Sequence, residues 1–587
     1  MPSGRTLFPE SRQAAIGGKE VERKSRLGTW ITAIGAVVLV AAYIVGQHPT
    51  PPAPLCPNPV QLLVIASNEK SGPIGDMAAD FVRTGATVDD RCIDVKVVRK
   101  ASGDAEAALA QGWDEARDGA RPDVWSPAAT TWVNLLREHR VGADRSDLIP
   151  TSLPSLMQSP LVIAMPRPMA EAMGWPATEI GWHDILTLAQ DPQGWARYGH
   201  PQWGRFRLGK TDPTVSTSGL HALVGTYYAA TGLSADLTVD DVRKSEVVAF
   251  VKGIEGSVEH YGSTASTFLA NLKTASDAGN PLGYVSAIAV EEKQIFDYDQ
   301  ARPEVPLVAI YPREGTLVAD HPYVVLRAPW VDDTKRRAAA LFLAYLEHPD
   351  RQTRLQELGF RDHEGRAGAM LASDPSFRAE GPAGNVIRPP SSEALAAVQA
   401  SWKDVRKRAR VLMVLDVSGS MIGAKLDLMK RASIDALDLF ADDDDVGVWI
   451  FSSGHQELMP IAPLGPQKEL LRTRLAGLSV SGGTALYTTT LDAVRALSRV
   501  ADARRINAVM LLTDGQNSDA NNDLEGLVRA LDPETRENGI RVFTIAYGGD
   551  ADKKVLQRIA EATRATSYDA SDQSSIGRVF KEVVSNF

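Results

Sequence analysis

The stretch Arg410–Met421, RVLMVLDVSGSM, joins an apolar run to a polar loop. Val411–Leu415 is short, continuous and rich in β-forming residues, which predicts a buried strand. The run stops at Asp416, and two hydroxyls follow at alternate positions, Ser418 and Ser420. Apolar residues at helical spacing come next, so the sequence predicts strand, loop and helix. Such a loop lies at the carboxyl edge of an open α/β sheet, where these sheets bind ligands.

Two later stretches bring the same chemistry to the same predicted edge. Ser481–Thr484 opens a helical pattern, and the apolar strand Ala508–Leu512 ends in Thr513–Gly515. Oxygen ligands of this kind suit Mg²⁺, with Mn²⁺ or Ca²⁺ as alternatives, and the absence of Cys and His from the set argues against zinc. The predicted metal ligands are Asp416, Ser418, Ser420, Thr484 and Asp514.

Residues 408–587 resemble a von Willebrand factor type A domain, a Rossmann-like α/β fold. The segment DVSGS together with Thr484 and Asp514 matches the metal-ion-dependent adhesion site of that family. The resemblance implies coordination by the three hydroxyls, with Asp416 and Asp514 bound directly or through water. It also implies one open coordination position for an acidic residue of a protein partner. The physics agrees, because two carboxylates only neutralise a divalent ion and leave it electrophilic.

The composition excludes several function classes. With 587 residues, 23% charged residues and a net charge of −10, the chain is ordinary globular protein without the broad basic face that nucleic acid needs. It contains no G-x-S-x-G nucleophile elbow. A phosphohydrolase acting from Asp416 needs a second carboxylate two residues on, where this chain has Ser418. We therefore expect a binding protein and no enzyme.

The amino-terminal residues predict a membrane anchor. Residues 1–26 are rich in Lys and Arg and form a predicted cytoplasmic tail, whereas residues 27–46 carry no charge and are long enough to span a bilayer. By the positive-inside rule, the bulk of the chain is then extracellular at the cell membrane. A cleaved signal peptide is the alternative. Residues 47–59 are proline-rich and predict a semi-rigid spacer.

The two cysteines, Cys56 and Cys92, predict a disulfide outside the cytoplasm. In the chain-entropy model, a loop of this length stabilises the fold by roughly 4 kcal/mol, less any strain. Two unrelated thiols are the alternative.

Residues 60–390 alternate predicted strands and helices, as a parallel α/β fold does. Predicted strands include Val60–Ala66, Leu161–Met165, Gly283–Ala287 and Leu307–Tyr311. This order is similar to a two-lobed extracellular solute-binding protein of the periplasmic type, with its ligand in the cleft between the lobes. The resemblance is carried by the phrases SPLVIAMPRPMAEAMGWP, RLGKTDPTVSTSGLHAL and IYPREGTLVADHPYVVL.

A cluster of hydroxyls in the second phrase predicts the ligand class. The cluster opens a helix, so its side chains and free backbone N–H groups favour an anion or a carboxylate. Simple capping of the helix is the alternative. Four residues at other strand ends could complete the cleft. The candidate cleft residues are thus Thr214, Ser216, Thr217 and Ser218, together with Ser67, Asn68, Ser126 and Tyr284.

The two modules are predicted to be separate. Asp374–Pro390 has the composition of a linker, and residues 391–407 predict a linker helix before the A domain at 408–587. We expect the modules to move independently, because that is the default for joined domains. The predicted whole is a membrane-anchored extracellular binding protein that takes a small solute and, in adhesion, a protein partner. The alternative is the receptor subunit of an ABC importer, with the A domain as a docking module.

Overall fold

The computed structural model describes residues 57–140, 148–277, 279, 281–382, 385–531 and 539–587. These residues form three β-sheets with helices packed against them. Residues Asn58–Phe587 form one compact unit.

The first two sheets and their helices fill the chain up to Val405. The strands are β1 Val60–Ala66, β2 Thr87–Val88, β3 Arg91–Arg99, β4 Val124–Ser126, β5 Ser159–Pro166, β6 Leu208–Thr211, β7 Val258–Gly262, β8 Ala287–Glu291, β9 Leu307–Ile310, β10 Val318–Ala319 and β11 Val324–Val325. The helices are α1 Asn68–Arg83, α2 Ser102–Gln111, α3 Glu115–Asp118, α4 Thr130–His139, α5 Arg167–Ala172, α6 Trp182–Gln190, α7 Thr217–Thr231, α8 Val239–Arg243, α9 Ser245–Gly256, α10 Ala265–Asp277, α11 Pro281–Tyr284, α12 Glu292–Gln300, α13 Asp333–Leu346, α14 Pro349–Glu357, α15 Ala369–Ser373 and α16 Ser392–Val405.

Each of these sheets is the core of one lobe. Lobe one has the order β11-β4-β1-β3-β2, and lobe two has β10-β5-β8-β6-β7 with β9 also paired to β5. The strand β1, sequence VQLLVIA, lies between β3 and β4 in parallel register, as its apolar run predicts. The chain passes from lobe two to lobe one between β10 and β11, so His321 lies on a segment that crosses between the lobes.

The third sheet forms the core of the module at residues 408–587, which is called the A domain here. Its strands are β12 Arg408–Asp416, β13 Asp445–Phe451, β14 His455–Pro463, β15 Arg505–Thr513, β16 Arg541–Tyr547 and β17 Ser567–Ala570. Its helices are α17 Ala424–Ala436, α18 Leu464–Ala476, α19 Leu486–Ser498, α20 Leu524–Leu531, α21 Lys553–Glu561 and α22 Ile576–Val584. The order is β14-β13-β12-β15-β16-β17, parallel except for β14 at one edge. The strand β12 is central and buried, which places its end in the middle of the ligand-binding edge.

One predicted strand is displaced in the structure. Gly283–Ala287 was expected to be a strand, but Pro281–Tyr284 is a helix and the strand runs from Ala287 to Glu291. Pro281 suits the first turn of a helix, where a missing N–H costs nothing.

The segment predicted as a linker packs against the two lobes instead. Ile387 is buried, and its backbone N–H donates to Thr316 O at 2.8 Å. The Tyr228 hydroxyl donates to Arg388 O at 2.9 Å. The helix α16 contributes Leu395 and other apolar residues to the same core as α4 and α7. The proline-rich composition of this segment therefore does not correspond to a free linker between the modules.

The two modules are in contact, which differs from the expectation of independent units. The backbone N–H of Tyr261 donates to Asn586 O at 3.1 Å. Lys407 Nζ donates to Val258 O at 2.9 Å, and the Lys407 N–H donates to the Tyr261 hydroxyl at 3.2 Å. The strand β7 of lobe two is thus joined to both ends of the A domain.

Within the described ranges, no helix is long and apolar enough to cross a bilayer. The predicted tail, membrane helix and most of the spacer, residues 1–56, lie outside those ranges, as does Cys56. The anchor and the Cys56–Cys92 pairing therefore stay predictions.

Candidate metal site and candidate solute cleft

The register of β12 on β15 brings two predicted acidic ligands to one sheet edge. Leu415 pairs with Leu512, so Asp416 ends β12 beside Thr513, and Asp514 follows directly. Both carboxylates are fully buried, and the Thr513 hydroxyl donates to Asp416 Oδ2. The pairing of the two buried strands therefore sets the position of the two acidic side chains at the sheet edge.

The hydroxyls of the first loop point at the same place. The Ser418 N–H donates to Asp416 Oδ1 at 2.7 Å, which folds the loop back over the strand end. Ser418 Oγ lies 3.0 Å from Ser420 Oγ, and Ser420 Oγ donates to Asp514 Oδ1 at 2.7 Å. Three oxygen atoms from two loops therefore converge.

Thr484 lies on the third loop of the site. Its backbone N–H donates to Ser518 Oγ at 2.7 Å. A Cβ placed on Gly515 would lie 3.3 Å from Thr484 Oγ1 and 3.8 Å from Ser420 Oγ. Gly482, with φ of +68°, provides the left-handed turn that leads into this loop. The structure thus gathers all five residues that the sequence proposed as metal ligands.

The two acidic side chains, Asp416 and Asp514, dominate the electrostatics of the site. Burial raises the pKa of the Asp416 carboxyl, and the neighbouring charge of Asp514 raises it further against the hydrogen bonds from Ser418 and Thr513. Lys425 Nζ donates to Asp514 Oδ2 at 2.7 Å. A cation of the protein itself therefore already contacts one of the proposed ligands.

The predicted cleft between the lobes is nearly closed. It is a cavity of about 20 Å³, and five of the eight candidate cleft residues line it: Ser67, Asn68, Ser216, Thr217 and Ser218. The other three serve elsewhere. Ser126 Oγ donates to Pro322 O at 2.8 Å, and Thr214 Oγ1 donates to Asp212 Oδ1 at 2.6 Å.

Tyr284 is the third, and the structure places it outside the lining of the cleft. It lies on α11 and lines a cavity of about 900 Å³ together with A-domain residues such as Gln557 and Tyr568. The Arg541 guanidinium lies 5.7 Å from the centre of the Tyr284 ring. The reason is the displaced strand, because the helix that replaces it turns Tyr284 toward the A domain.

Direct contacts hold the lobes together across the cleft. The Gly103 N–H of α2 donates to Val215 O at 3.1 Å. Trp132 Nε1 donates to Thr217 Oγ1 at 2.8 Å, and Thr131 Oγ1 lies 3.1 Å from His221 Nε2. The hydroxyl of Thr217, which the sequence assigned to an anion, is thus occupied by a side chain of the other lobe.

The structure adds charged residues that the sequence argument did not use. Lys70 Nζ donates to Pro127 O at 2.6 Å and lies 3.2 Å from His321 Nδ1. His321 Nδ1 is also 3.5 Å from Glu69 Oε1, and His321 Nε2 is 3.8 Å from Glu291 Oε2. Glu69 and Glu291 line the cleft, so two carboxylates face the space where an anion was expected.

Burial governs the protonation of this cluster. It raises the pKa of Glu291 well above its ordinary value, with the charge of Glu69 adding to the effect. It lowers the pKa of His321 well below its ordinary value and lowers that of Lys70 to about 8. The sequence offered one signal, the run Asn68-Glu69-Lys70 at a strand end; the Asp-His-Pro context of His321 is typical of a turn.

Comparisons with known proteins agree with this architecture. The profile of bacterial extracellular solute-binding proteins matches residues 62–361, and that of the von Willebrand factor type A domain matches residues 411–582. An uncharacterized protein of Mycobacterium tuberculosis (strain ATCC 25618 / H37Rv) is 23% identical, with 97% of this chain and 84% of the relative covered. Human inter-alpha-trypsin inhibitor heavy chain H4 is 26% identical over 26% of this chain and 17% of its own length.

Solved structures resemble each module separately. A periplasmic thiamin binding protein covers 60% of this chain and 100% of its own, with 10% identity and a TM-score of 0.41. A von Willebrand factor type A protein from Catenulispora acidiphila covers 31% of this chain and 42% of its own, with 22% identity and a TM-score of 0.28.

Proposed function

Since the chain belongs to the bacterial extracellular solute-binding protein family over residues 62–361 and carries a von Willebrand factor type A domain after it, we propose that it is an exported protein with two binding activities. The lobes of the first module bind a small solute, and the A domain binds a protein partner. The predicted helix at residues 27–46 anchors the chain in the membrane. Both activities are binding without catalysis, since Ser418 stands where a phosphohydrolase needs its second carboxylate.

The observation that carries the A-domain proposal is the spacing of three oxygens. Ser418 Oγ and Ser420 Oγ are 3.0 Å apart, and Ser420 Oγ and Asp514 Oδ1 are 2.7 Å apart. Octahedral Mg²⁺ with bonds of about 2.1 Å places adjacent ligands about 3 Å apart, so the residues fit this ion. Type A domains typically bind a divalent metal here. Such an ion supplies an electrophilic position for a partner carboxylate.

The surface beside the site supports a protein partner. Ile422, two residues after Ser420, is 72% exposed. A partner that brings a carboxylate to the ion can cover this side chain and bury its apolar area. Full burial of such a side chain contributes about 1.5–3 kcal/mol. The partner surface therefore combines one acidic residue with an apolar neighbour.

Titration of Mg²⁺ into variants of the full chain tests the metal assignment. Asp416 is fully buried and accepts two hydrogen bonds, so Asp416→Asn, which keeps its size, is a better variant than alanine. We expect Asp416→Asn and Asp514→Asn each to weaken Mg²⁺ binding by about two orders of magnitude, because each removes a charge from the ligand set. Asp550→Asn is the matched control, since Asp550 is an exposed acid 3.6 Å from Lys425. Equal Mg²⁺ affinity in all three variants contradicts the assignment.

A second experiment addresses the partner. The full chain is used to capture proteins from solubilised membranes with Mg²⁺ or with EDTA, and each captured protein is then purified and titrated. We expect binding that needs Mg²⁺, is lost in Asp514→Asn and survives in Asp550→Asn. Ile422→Ser should weaken it about tenfold. Binding that is equal in EDTA contradicts a metal-bridged contact.

A further inference from the structure

We propose that the cleft between the lobes binds a divalent transition-metal ion through Glu69, Glu291 and His321. This names the solute class of the solute-binding activity proposed above and rests on that activity. The three residues come from three parts of the fold: the first turn of α1 in lobe one, the end of β8 in lobe two, and the segment that crosses between the lobes. One ligand atom from each lies within 4.8 Å of the other two.

Two buried polar atoms in this cluster point to a missing ligand. Glu291 Oε2 and His321 Nε2 have no hydrogen-bond partner among the described residues, and both side chains are at least 98% buried. Orphaned polar atoms in such positions are costly and call for an explanation. Their separation of 3.8 Å is too long for a hydrogen bond. Two bonds of about 2.1 Å to one ion span that separation.

The size of the cleft selects an ion over a larger solute. The cavity that Glu69 and Glu291 line has a volume of about 20 Å³ and holds one water-sized particle, since about 10–15 Å³ is needed for a water. A larger solute needs the lobes to part, which breaks the Gly103–Val215 and Trp132–Thr217 hydrogen bonds and opens the shared apolar core of α4 and α7. The Glu69 carboxylate, which lines the cleft, disfavours an anion there by like-charge repulsion.

The donor set also separates this site from the one in the A domain. One imidazole with two carboxylates suits zinc and neighbouring transition metals, and hydroxyl and carboxylate oxygens suit Mg²⁺. The two modules therefore bind different ions. An ion held by both lobes and by the crossing segment also fixes the lobes in the closed arrangement.

Lys70 is the residue that balances the charge of this site without an ion. Its ammonium is fully buried, 3.2 Å from His321 Nδ1, and both carboxylates act on it. An incoming metal ion is repelled by this charge. We therefore expect Lys70→Met to bind the ion more tightly and to gain more thermal stability from it than the natural chain.

Cobalt and zinc provide the test, in the full chain carrying Asp514→Asn to silence the adhesion site. We expect the chain to bind one equivalent of Zn²⁺ in equilibrium dialysis. We also expect visible absorption bands of bound Co²⁺ that differ between this chain and its His321→Asn variant, because that variant lacks the imidazole ligand. Glu291→Gln and His321→Asn should each weaken Zn²⁺ binding by about two orders of magnitude or more. His348→Asn is the matched control, because His348 is an exposed histidine beside an acid, Asp350. Zn²⁺ uptake that persists in both cleft variants overturns the proposal.

The remaining outcomes separate this inference from the broader function. If Glu291→Gln and His321→Asn do not fold, Lys70→Met decides, because a Zn²⁺-induced rise in melting temperature no larger than that of the natural chain contradicts the site. If inorganic sulfate or phosphate stabilises the chain and Zn²⁺ does not, the cation assignment fails and solute binding stands. If none of these probes changes the melting temperature, the cation assignment fails and the solute-binding proposal is restricted to solutes other than these ions.

Discussion

The Lys425 ammonium lies 2.7 Å from Asp514 Oδ2, beside the five proposed metal ligands. Lys425 lies in the first turn of α17, and its side chain is 15% exposed. The ion pair is therefore largely shielded from solvent. The lysine stabilises the buried carboxylate when no ion is present. It also competes with any ion for that carboxylate, which sets a limit on metal affinity.

Removing this lysine is expected to strengthen Mg²⁺ binding. At an effective dielectric constant near 20, charges about 4 Å apart interact by about 4 kcal/mol, and relaxation leaves a fraction of this. We expect Lys425→Met to raise Mg²⁺ affinity about tenfold, or about 1.4 kcal/mol, in calorimetric titration. Lys468→Met is the matched control, since Lys468 pairs with Asp438 at 2.8 Å on another face. Weaker Mg²⁺ binding in Lys425→Met contradicts competition and assigns the lysine a supporting role.

The contact between the lobes depends on a glycine. A Cβ on Gly103 would lie 2.0 Å from Thr214 O, a backbone atom of the other lobe. We expect Gly103→Ala to force the lobes apart and to lower the free energy of unfolding by about 1–3 kcal/mol, measured by urea denaturation. Gly72 of α1 has open space around its Cβ position. Gly72→Ala should therefore be neutral or stabilise by about 0.5–1 kcal/mol, and equal losses for the two variants contradict the close approach.

The ion pairs Arg541–Glu259 and Lys581–Asp104 both join the modules, and they should differ in strength. Arg541 lies 3.3 Å from Glu259 and its side chain is 6% exposed, whereas Lys581 and Asp104, 2.6 Å apart, are 53% and 36% exposed. Burial alone raises the pKa of Glu259, but the charges of Arg541, Lys407 and Arg207 bring it below its ordinary value.

Neutralising the more buried pair is therefore expected to loosen the modules. We expect Glu259→Gln to cost about 1–3 kcal/mol and to separate the melting transitions of the two modules in calorimetry. Asp104→Asn should change stability by less than about 1 kcal/mol, because an exposed ion pair contributes little. A single unchanged transition in Glu259→Gln argues that backbone contacts such as Tyr261–Asn586 are sufficient to join the modules.

The positions of the five proposed A-domain ligands were predictable, because these residues follow strands that are formed by contiguous apolar residues. The run Val411–Leu415 lies within the observed strand Arg408–Asp416, and Ala508–Leu512 lies within Arg505–Thr513. Once such strands are parallel neighbours, their ends must meet at one edge. The helix predicted within residues 391–407 is observed at Ser392–Val405, because Ser391 caps it and apolar spacing continues to Val405.

The cleft was less predictable because its chemistry joins residues far apart in the chain. Lys70 and His321 are 251 positions apart, and no local pattern relates them. His321 adopts φ of +42°, as residues in turns do, although its ring is fully buried. Hydroxyls at a helix start predict anion binding only when they are free. Here Trp132 of the other lobe already occupies Thr217.

The acid sensitivity of the lobe interface is expected to depend on His221. Burial lowers its pKa to about 3 from the ordinary 6.5, and its Nε2 lies 3.1 Å from Thr131 Oγ1 across the lobes. The folded chain holds a neutral imidazole, whereas the unfolded chain takes up a proton below about pH 6.5. The stabilising contribution is therefore complete above that pH and is lost as the pH falls toward the folded pKa.

The variant His221→Gln should show this by a shallower loss of stability in acid. As the pH falls from about 6 to 4, the natural chain should lose about 1.4 kcal/mol of unfolding free energy per pH unit relative to His221→Gln. His139→Gln is a control of opposite sign, because the hydrogen bond from His139 to Glu106 raises the His139 pKa. That contribution is complete below the ordinary pKa and is lost as the pH rises through the folded pKa. Urea denaturation of the natural chain and His221→Gln between about pH 6 and pH 4 measures the first effect, and denaturation of the natural chain and His139→Gln above about pH 6.5 measures the second. Parallel acid curves for the natural chain and His221→Gln contradict a neutral buried His221.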